Sequence, residues 1–308
     1  MTRHLVSLEG FVSGAGARIY YRTLGGGFPL LLLHGGPGAD HSDFLPYLEP
    51  LARNCRLILV DQRGCGRSER LADTRGYTLE NMVRDLEQLR THLRLEHWVV
   101  LGHSFGGILA QAYAVRHPRR VAGLILAGTA TSARAINSDF ARIRHAASKS
   151  ARLQLDKHER AGIFRPDGQY TRAYATWVAR VLAPYMYAKK APTRSPPPLG
   201  MEVLREMWVR RSDFRIDGNL KGFDFSRQLA RVKAPALVVV GDRDLVSVQS
   251  ADASRAALPR ATLVVLAECG HMMFVDQTTL FNHVLEGFLH QCAAAQRRLA
   301  EMNHAFHR

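Results

Sequence analysis

The sequence predicts an α/β protein: a mostly parallel sheet with helices on both faces, interrupted once by a helical insertion. Two observations predict it. Short runs of Val, Ile and Leu alternate with longer segments of helical periodicity along most of the 308 residues. That β-α-β-α order builds parallel sheets through right-handed crossovers. Several of the runs, LLLL at 30–33 and VVV at 238–240 among them, are apolar without a break, as expected of strands covered on both faces.

In chain order, strands are predicted at 18–24, 29–33, 56–60, 98–101, 124–127, 236–240 and 262–266. Helices are predicted at 78–93, 106–117, 248–257 and 278–291, with Thr78 placed to cap the first of them. The alternation breaks between 131 and 215. There the sequence reads as helices, at 138–160 and 170–187, with a proline turn at Ser195-Pro196-Pro197-Pro198. The chain therefore divides into a first part of the core, 1–130, a helical lid or cap, 131–215, and a second part of the core, 216–308. The polar end at 296–308 is expected to fray or to prolong the last helix.

With 46% hydrophobic and 22% charged residues, the composition is that of an ordinary globular protein. No run approaches the roughly 18 apolar residues of a membrane span. The opening MTRHLVSLEG lacks the apolar segment of a signal peptide, so a cytoplasmic location is expected. Cys55, Cys65, Cys269 and Cys292 form no C-x-x-C pair, which argues against zinc and redox motifs. No metal or cofactor is expected, and Cys65 and Cys269 read as packing residues. The net charge is +15, and the segment 131–215 alone carries 17 Lys and Arg against 7 Asp and Glu. Without a nucleic-acid motif or aromatics interleaved with the cations, this excess reads as solvated helix faces, and no nucleic-acid partner is expected.

The chemistry is concentrated at strand ends. Residues 99–107, VVLGHSFGG, contain G-x-S-x-G directly after a strand and before a helix. In that context the motif is a nucleophile elbow: a sharp turn, with glycine on both sides, lifts the Ser104 hydroxyl clear at a helix N-terminus. A serine hydroxyl needs a base, and the base needs an acid to orient it. Late in the chain, GDRD at 241–244 places Asp242 and Asp244 just past a strand, and ECGH at 268–271 places His271 just past the next. Both lie at strand carboxyl ends, where open α/β sheets build their sites; the choice between the two aspartates stays open on physics alone. His34-Gly35-Gly36-Pro37-Gly38 follows the strand at 29–33 with almost no side chains. Acyl transfer needs backbone N–H donors aimed at a developing oxyanion, and the amides of Gly36 and Phe105 are the candidates.

Taken together, HGGPG at 34–38, DQRGCGRS at 61–68, GHSFGG at 102–107 and GDRD at 241–244 resemble the proline iminopeptidase group of the α/β-hydrolase fold. The likeness spans nearly the whole chain and is weakest in the lid. It implies Ser104 as nucleophile, His271 as base, Asp244 as acid, and Gly36 and Phe105 as the oxyanion hole. It also implies that Asp61 and Arg63 form an internal ion pair with a structural role.

Cleaving an N-terminal residue requires a carboxylate for its free ammonium. Family members with that activity carry a Glu-Phe pair where this chain has Asp213-Phe214, and often a second acid where it has Leu245. One anchor is thus shortened and the other missing. Trp177, Tyr185 and Trp208 are candidate walls of a substrate pocket, although aromatics at helical spacing more often face a core. The implied activity is an aminopeptidase or amidase acting on a small molecule or short peptide. The alternatives are a carboxylesterase, thioesterase or lactonase on a small to medium acyl group, and a catalytically silent binding module of the same fold.

Overall fold

The computed structural model describes residues 6–162, 172–189 and 199–306. Eight strands form one sheet: β1 (Ser7–Ser13), β2 (Arg18–Leu24), β3 (Phe28–Leu33), β4 (Cys55–Val60), β5 (Trp98–His103), β6 (Val121–Ala127), β7 (Ala236–Gly241) and β8 (Ala261–Leu266). Their spatial order is β1-β2-β4-β3-β5-β6-β7-β8. The first two pairings, β1 with β2 and β2 with β4, are antiparallel, and the remainder are parallel. β1 escapes the sequence reading because it is an edge strand in which only Val12 is buried, so it lacks the apolar signal of its neighbours.

Side chains alternate between the two faces of each central strand. Leu31, Leu33, Val100, Leu124 and Val238 pack on one side, with α1 (Leu79–His92), α2 (Phe105–Arg116) and α7 (Val248–Ala257). Leu30, Leu32, Val99, Ile125 and Val239 pack on the other, with α8 (Met273–Asp276) and α9 (Thr278–Phe306). Thr78 caps α1, accepting from the Asn81 amide at 3.2 Å. The last helix continues through the polar C-terminal stretch to Phe306. No helix among the described residues is long and apolar enough to cross a membrane.

Between β6 and β7 lie α3 (Ala133–Ala146), α4 (Lys149–Arg160), α5 (Arg172–Met186) and α6 (Met201–Met207). The single helix predicted over 138–160 is in fact two. Ala147 turns extended, and Ser148 starts α4 by accepting from the Ala151 amide at 3.2 Å, a local competition that serine side chains commonly win at helix starts. The Pro196–Pro198 turn and the start of the helix predicted at 170 lie outside the described residues.

Candidate active site

The site gathers at the carboxyl ends of β3, β5, β7 and β8. At the end of β5, Ser104 has φ 55° and ψ −121°, a region that a non-glycine residue occupies at a cost of about 1–3 kcal/mol. The turn closes because a side chain at Gly106 would collide with the carbonyls of Leu33 and His34. Ser104 is half-buried; its amide donates to Ala127 at 2.9 Å, and among the described residues its hydroxyl carries no hydrogen bond. Such contacts often tighten only once substrate is bound.

The loops after β7 and β8 bring Asp244 and His271 together, with Asp244 Oδ1 and His271 Nδ1 2.6 Å apart and both side chains buried. A carboxylate can only accept, so Nδ1 carries the proton and Nε2 is left as the basic nitrogen. Asp244 Oδ1 also accepts the Val246 amide at 2.9 Å, which holds the carboxylate in its own turn. Asp242 does something else: it accepts the amides of Glu268 at 3.0 Å and Cys269 at 2.9 Å and so ties the two loops together. Although desolvation opposes it, these bonds hold the Asp242 carboxyl below its ordinary value.

His103, the residue before Ser104, lies 4.7 Å ring to ring from His271 and donates Nε2–H to the His271 carbonyl at 2.9 Å. Burial, with repulsion from His271 second, pushes its pKa down to about 3, so it stays neutral under the His271 ring. On the β3 side, Gly36 has φ +112°, open to glycine and strained for other residues. It is exposed while Gly35 and Pro37 beside it are buried. Among the described residues the Gly36 amide has no acceptor, and Phe105 opens α2, where the helix supplies its amide with none. A Cβ built on Gly35 would lie 3.2 Å from Ser104 Cβ, so the loop runs directly beside the serine.

Asp61 and Arg63 do not pair with one another. Arg63, 1% exposed, binds Asp85 of α1 at 2.7 Å and the carbonyls of Ala15 and Gly76, whereas Asp61 binds His41 Nδ1 at 2.7 Å and the Arg67 amide at 2.8 Å. The two side chains leave β4 toward different neighbours. Both are buried structural groups, and Asp85 carries a signal that the sequence reading passed over: a carboxylate among Met82, Val83 and Leu86 on the buried face of α1 needs a buried partner. Among the described residues, Asp40, His41 and Asp61 form the one group with metal-ligand spacing. Their side chains already bond to one another and to the His41 and Ser42 amides, which ties the segment after β3 to the one after β4. All four cysteines are buried free thiols, and desolvation raises each to about 12, which leaves them protonated and unreactive.

Trp177 and Tyr185 line a cavity of about 430 Å³ between α3, α4 and α5, with Ile143, Val181 and Arg180. Trp208 is not among its walls; 7% exposed, it packs edge-on against Phe140 in the core. Asp213 is half-buried, next to Phe214, which also packs on Phe140.

Comparison with known proteins agrees with this fold. Residues 29–278 match the alpha/beta hydrolase fold. The chain is 30% identical to a proline iminopeptidase of Lactobacillus helveticus over 92% of its own length and 98% of that protein. It is 28% identical to one of Saccharolobus solfataricus over 92% of both. The crystal structure of proline iminopeptidase from Mycobacterium smegmatis superposes with a TM-score of 0.76 at 25% identity, covering 94% of this chain and 100% of that one. The chain belongs to the α/β hydrolase fold family, and within it groups by sequence with the proline iminopeptidases.

Proposed function

We propose that the protein is a serine hydrolase working through an acyl-enzyme, with Ser104 as nucleophile, His271 as base and Asp244 as acid, and with the helices of 131–215 as the lid. The observation that carries this is the buried 2.6 Å contact between Asp244 and His271, presented at the same sheet edge as the strained Ser104 turn. His271 Nε2 takes the Ser104 proton as Oγ attacks a carbonyl carbon. Asp244 steadies the imidazolium that forms, and the Gly36 and Phe105 amides donate to the oxyanion. Collapse expels an amine or alcohol, which takes the proton from His271. Water then attacks the ester by the same route.

The named relatives support an aminopeptidase that releases an N-terminal residue, proline foremost, with Asp213 as anchor for the free ammonium. A second reading, an esterase, is favoured by one feature. Where a second acid would anchor an ammonium stands apolar Leu245, and a cation, Arg142, donates to its carbonyl at 3.2 Å.

A fluorophosphonate should label wild-type protein at Ser104 and leave folded Ser104→Ala unlabelled, with turnover reduced about 10⁴-fold or more. Absence of label on folded wild type would refute the serine-hydrolase reading. Rates on proline and alanine arylamides, their N-blocked forms and aryl esters then separate the two substrate classes. Aminopeptidase action requires the free-amine arylamides to win, and Asp213→Asn to raise their KM by about 10-fold. Indifference to N-blocking, with esters far faster, makes the esterase reading the correct one.

A further inference from the structure

The insertion grips the loops that carry the acid and the base. Asp139 of α3 is 6% exposed, and its Oδ2 accepts the Ser247 amide at 3.1 Å. One turn on, Arg142 donates to the Leu245 carbonyl at 3.2 Å, and its Nε lies 3.8 Å from Asp139 Oδ1. Leu245 and Ser247 flank Val246, whose amide binds the Asp244 carboxylate. The loop that aims the acid is therefore held from outside at both its carbonyl and its amide. The Arg142 guanidinium also sits over the Tyr185 ring, 5.7 Å from its centre. Tyr185 and Met186 of α5 in turn accept the amides of His271 and Met272 at 2.8 and 2.9 Å. That approach is close: a side chain at Gly270 would come within 2.7 Å of the Met186 backbone. Ser104, by contrast, is fixed by the core turn between β5 and α2, its amide bonded to Ala127.

We propose that Asp139 and Arg142 are positioning residues: they fasten the acid loop to the insertion so that Asp244 meets His271 only while α3 is docked. The proposal rests on the triad assigned above. Ser104 is placed by the core alone, whereas the loops of Asp244 and His271, tied to each other through Asp242, are held by the insertion as well, so undocking α3 disarms the base without disturbing the nucleophile. A carboxylate at 139 is not needed for this, only an acceptor. The burial of Asp139 between Ile136 and Ile143 on α3 is then accounted for by the amide it receives.

The test measures kcat per fluorophosphonate-titrated serine, KM on an aryl ester, and the downfield proton resonance of His271 Nδ1 in Asp139→Ala, Asp139→Asn, Arg142→Ala and wild type. Arg142 is 45% exposed, so Arg142→Ala retains the fold even if Asp139→Ala does not. Expected are a kcat lowered about 10- to 100-fold in the two alanine variants, the scale of a 1 Å misplacement, with KM within about twofold. The Nδ1 resonance should be lost or broadened, and Asp139→Asn, which keeps an acceptor, should restore both. Unchanged kcat per titrated serine with an intact resonance in Arg142→Ala would overturn the proposal. So would equal loss in Asp139→Asn and Asp139→Ala. If wild type takes no label, the serine-hydrolase reading falls, and the resonance still reports whether these residues assemble the pair.

Discussion

His103 shows how a single residue next to Ser104 can serve the fold. Its imidazole is sealed beneath His271 and is held neutral, down to about 3, while in the unfolded chain it titrates near 6.5. Below about pH 6.5 the unfolded state therefore binds a proton that the folded state refuses, and stability drains away as pH falls toward 3. Buried His34, whose pKa is also lowered by desolvation, acts in the same direction. By pH 4.5 the His103 contribution is on the order of 2–3 kcal/mol. Urea unfolding of His103→Gln at pH 7 and 4.5 should show a smaller fall than wild type, and an equal fall would exclude this account. Asp242 and Asp244 make the complementary point: two residues apart on one loop, one binds the backbone of the next loop and the other binds the His271 ring.

Within single elements, burial pattern predicts consequence. On α9, Phe281, Leu285, Phe288, Leu289 and Cys292 fall on one stripe against the sheet, whereas Leu280 is 46% exposed. Leu285→Ala should cost about 2–5 kcal/mol in chemical denaturation, and Leu280→Ala less than about 0.5 kcal/mol. The same reading applied to α1 and α3 finds Asp85 and Asp139 among buried apolar neighbours. A carboxylate on such a stripe announces a partner without naming it. β1 and the break between α3 and α4 were harder to read. The first is an exposed edge with little apolar content, and the second turns on the Ser148 cap inside an otherwise helical pattern.

At the scale of the whole molecule, the net charge of +15, with its excess over 131–215, should draw anionic substrates toward the insertion. An aryl ester bearing a carboxylate should therefore lose several-fold in kcat/KM as ionic strength rises from about 0.01 to 0.15 M, where the screening length contracts from about 30 to about 8 Å. A neutral ester of the same size is the control, and parallel behaviour of the two would remove charge steering from the account. Insertion and sheet also meet on the β3 side, where the Gly200 amide donates to the Gly38 carbonyl at 2.7 Å, so the insertion touches the loop after β3 as well as those after β7 and β8.

Seven of the eight strands, the elbow at Ser104 and the candidate loops at 34–38, 241–244 and 268–271 were legible in the sequence because each depends on residues a few positions apart. Apolar runs specify buried strands, and glycines flanking a serine permit one tight turn. Two pairings were decided only by the tertiary structure, Asp85 rather than Asp61 on Arg63 and α3 on the loop after β7, and a third, Asp244 rather than Asp242 on His271, was open to local spacing and implied beforehand only by the family resemblance. Each joins segments 22 or more residues apart. Their meeting is set by sheet order and by how helices from separate crossovers pack, which no local spacing encodes.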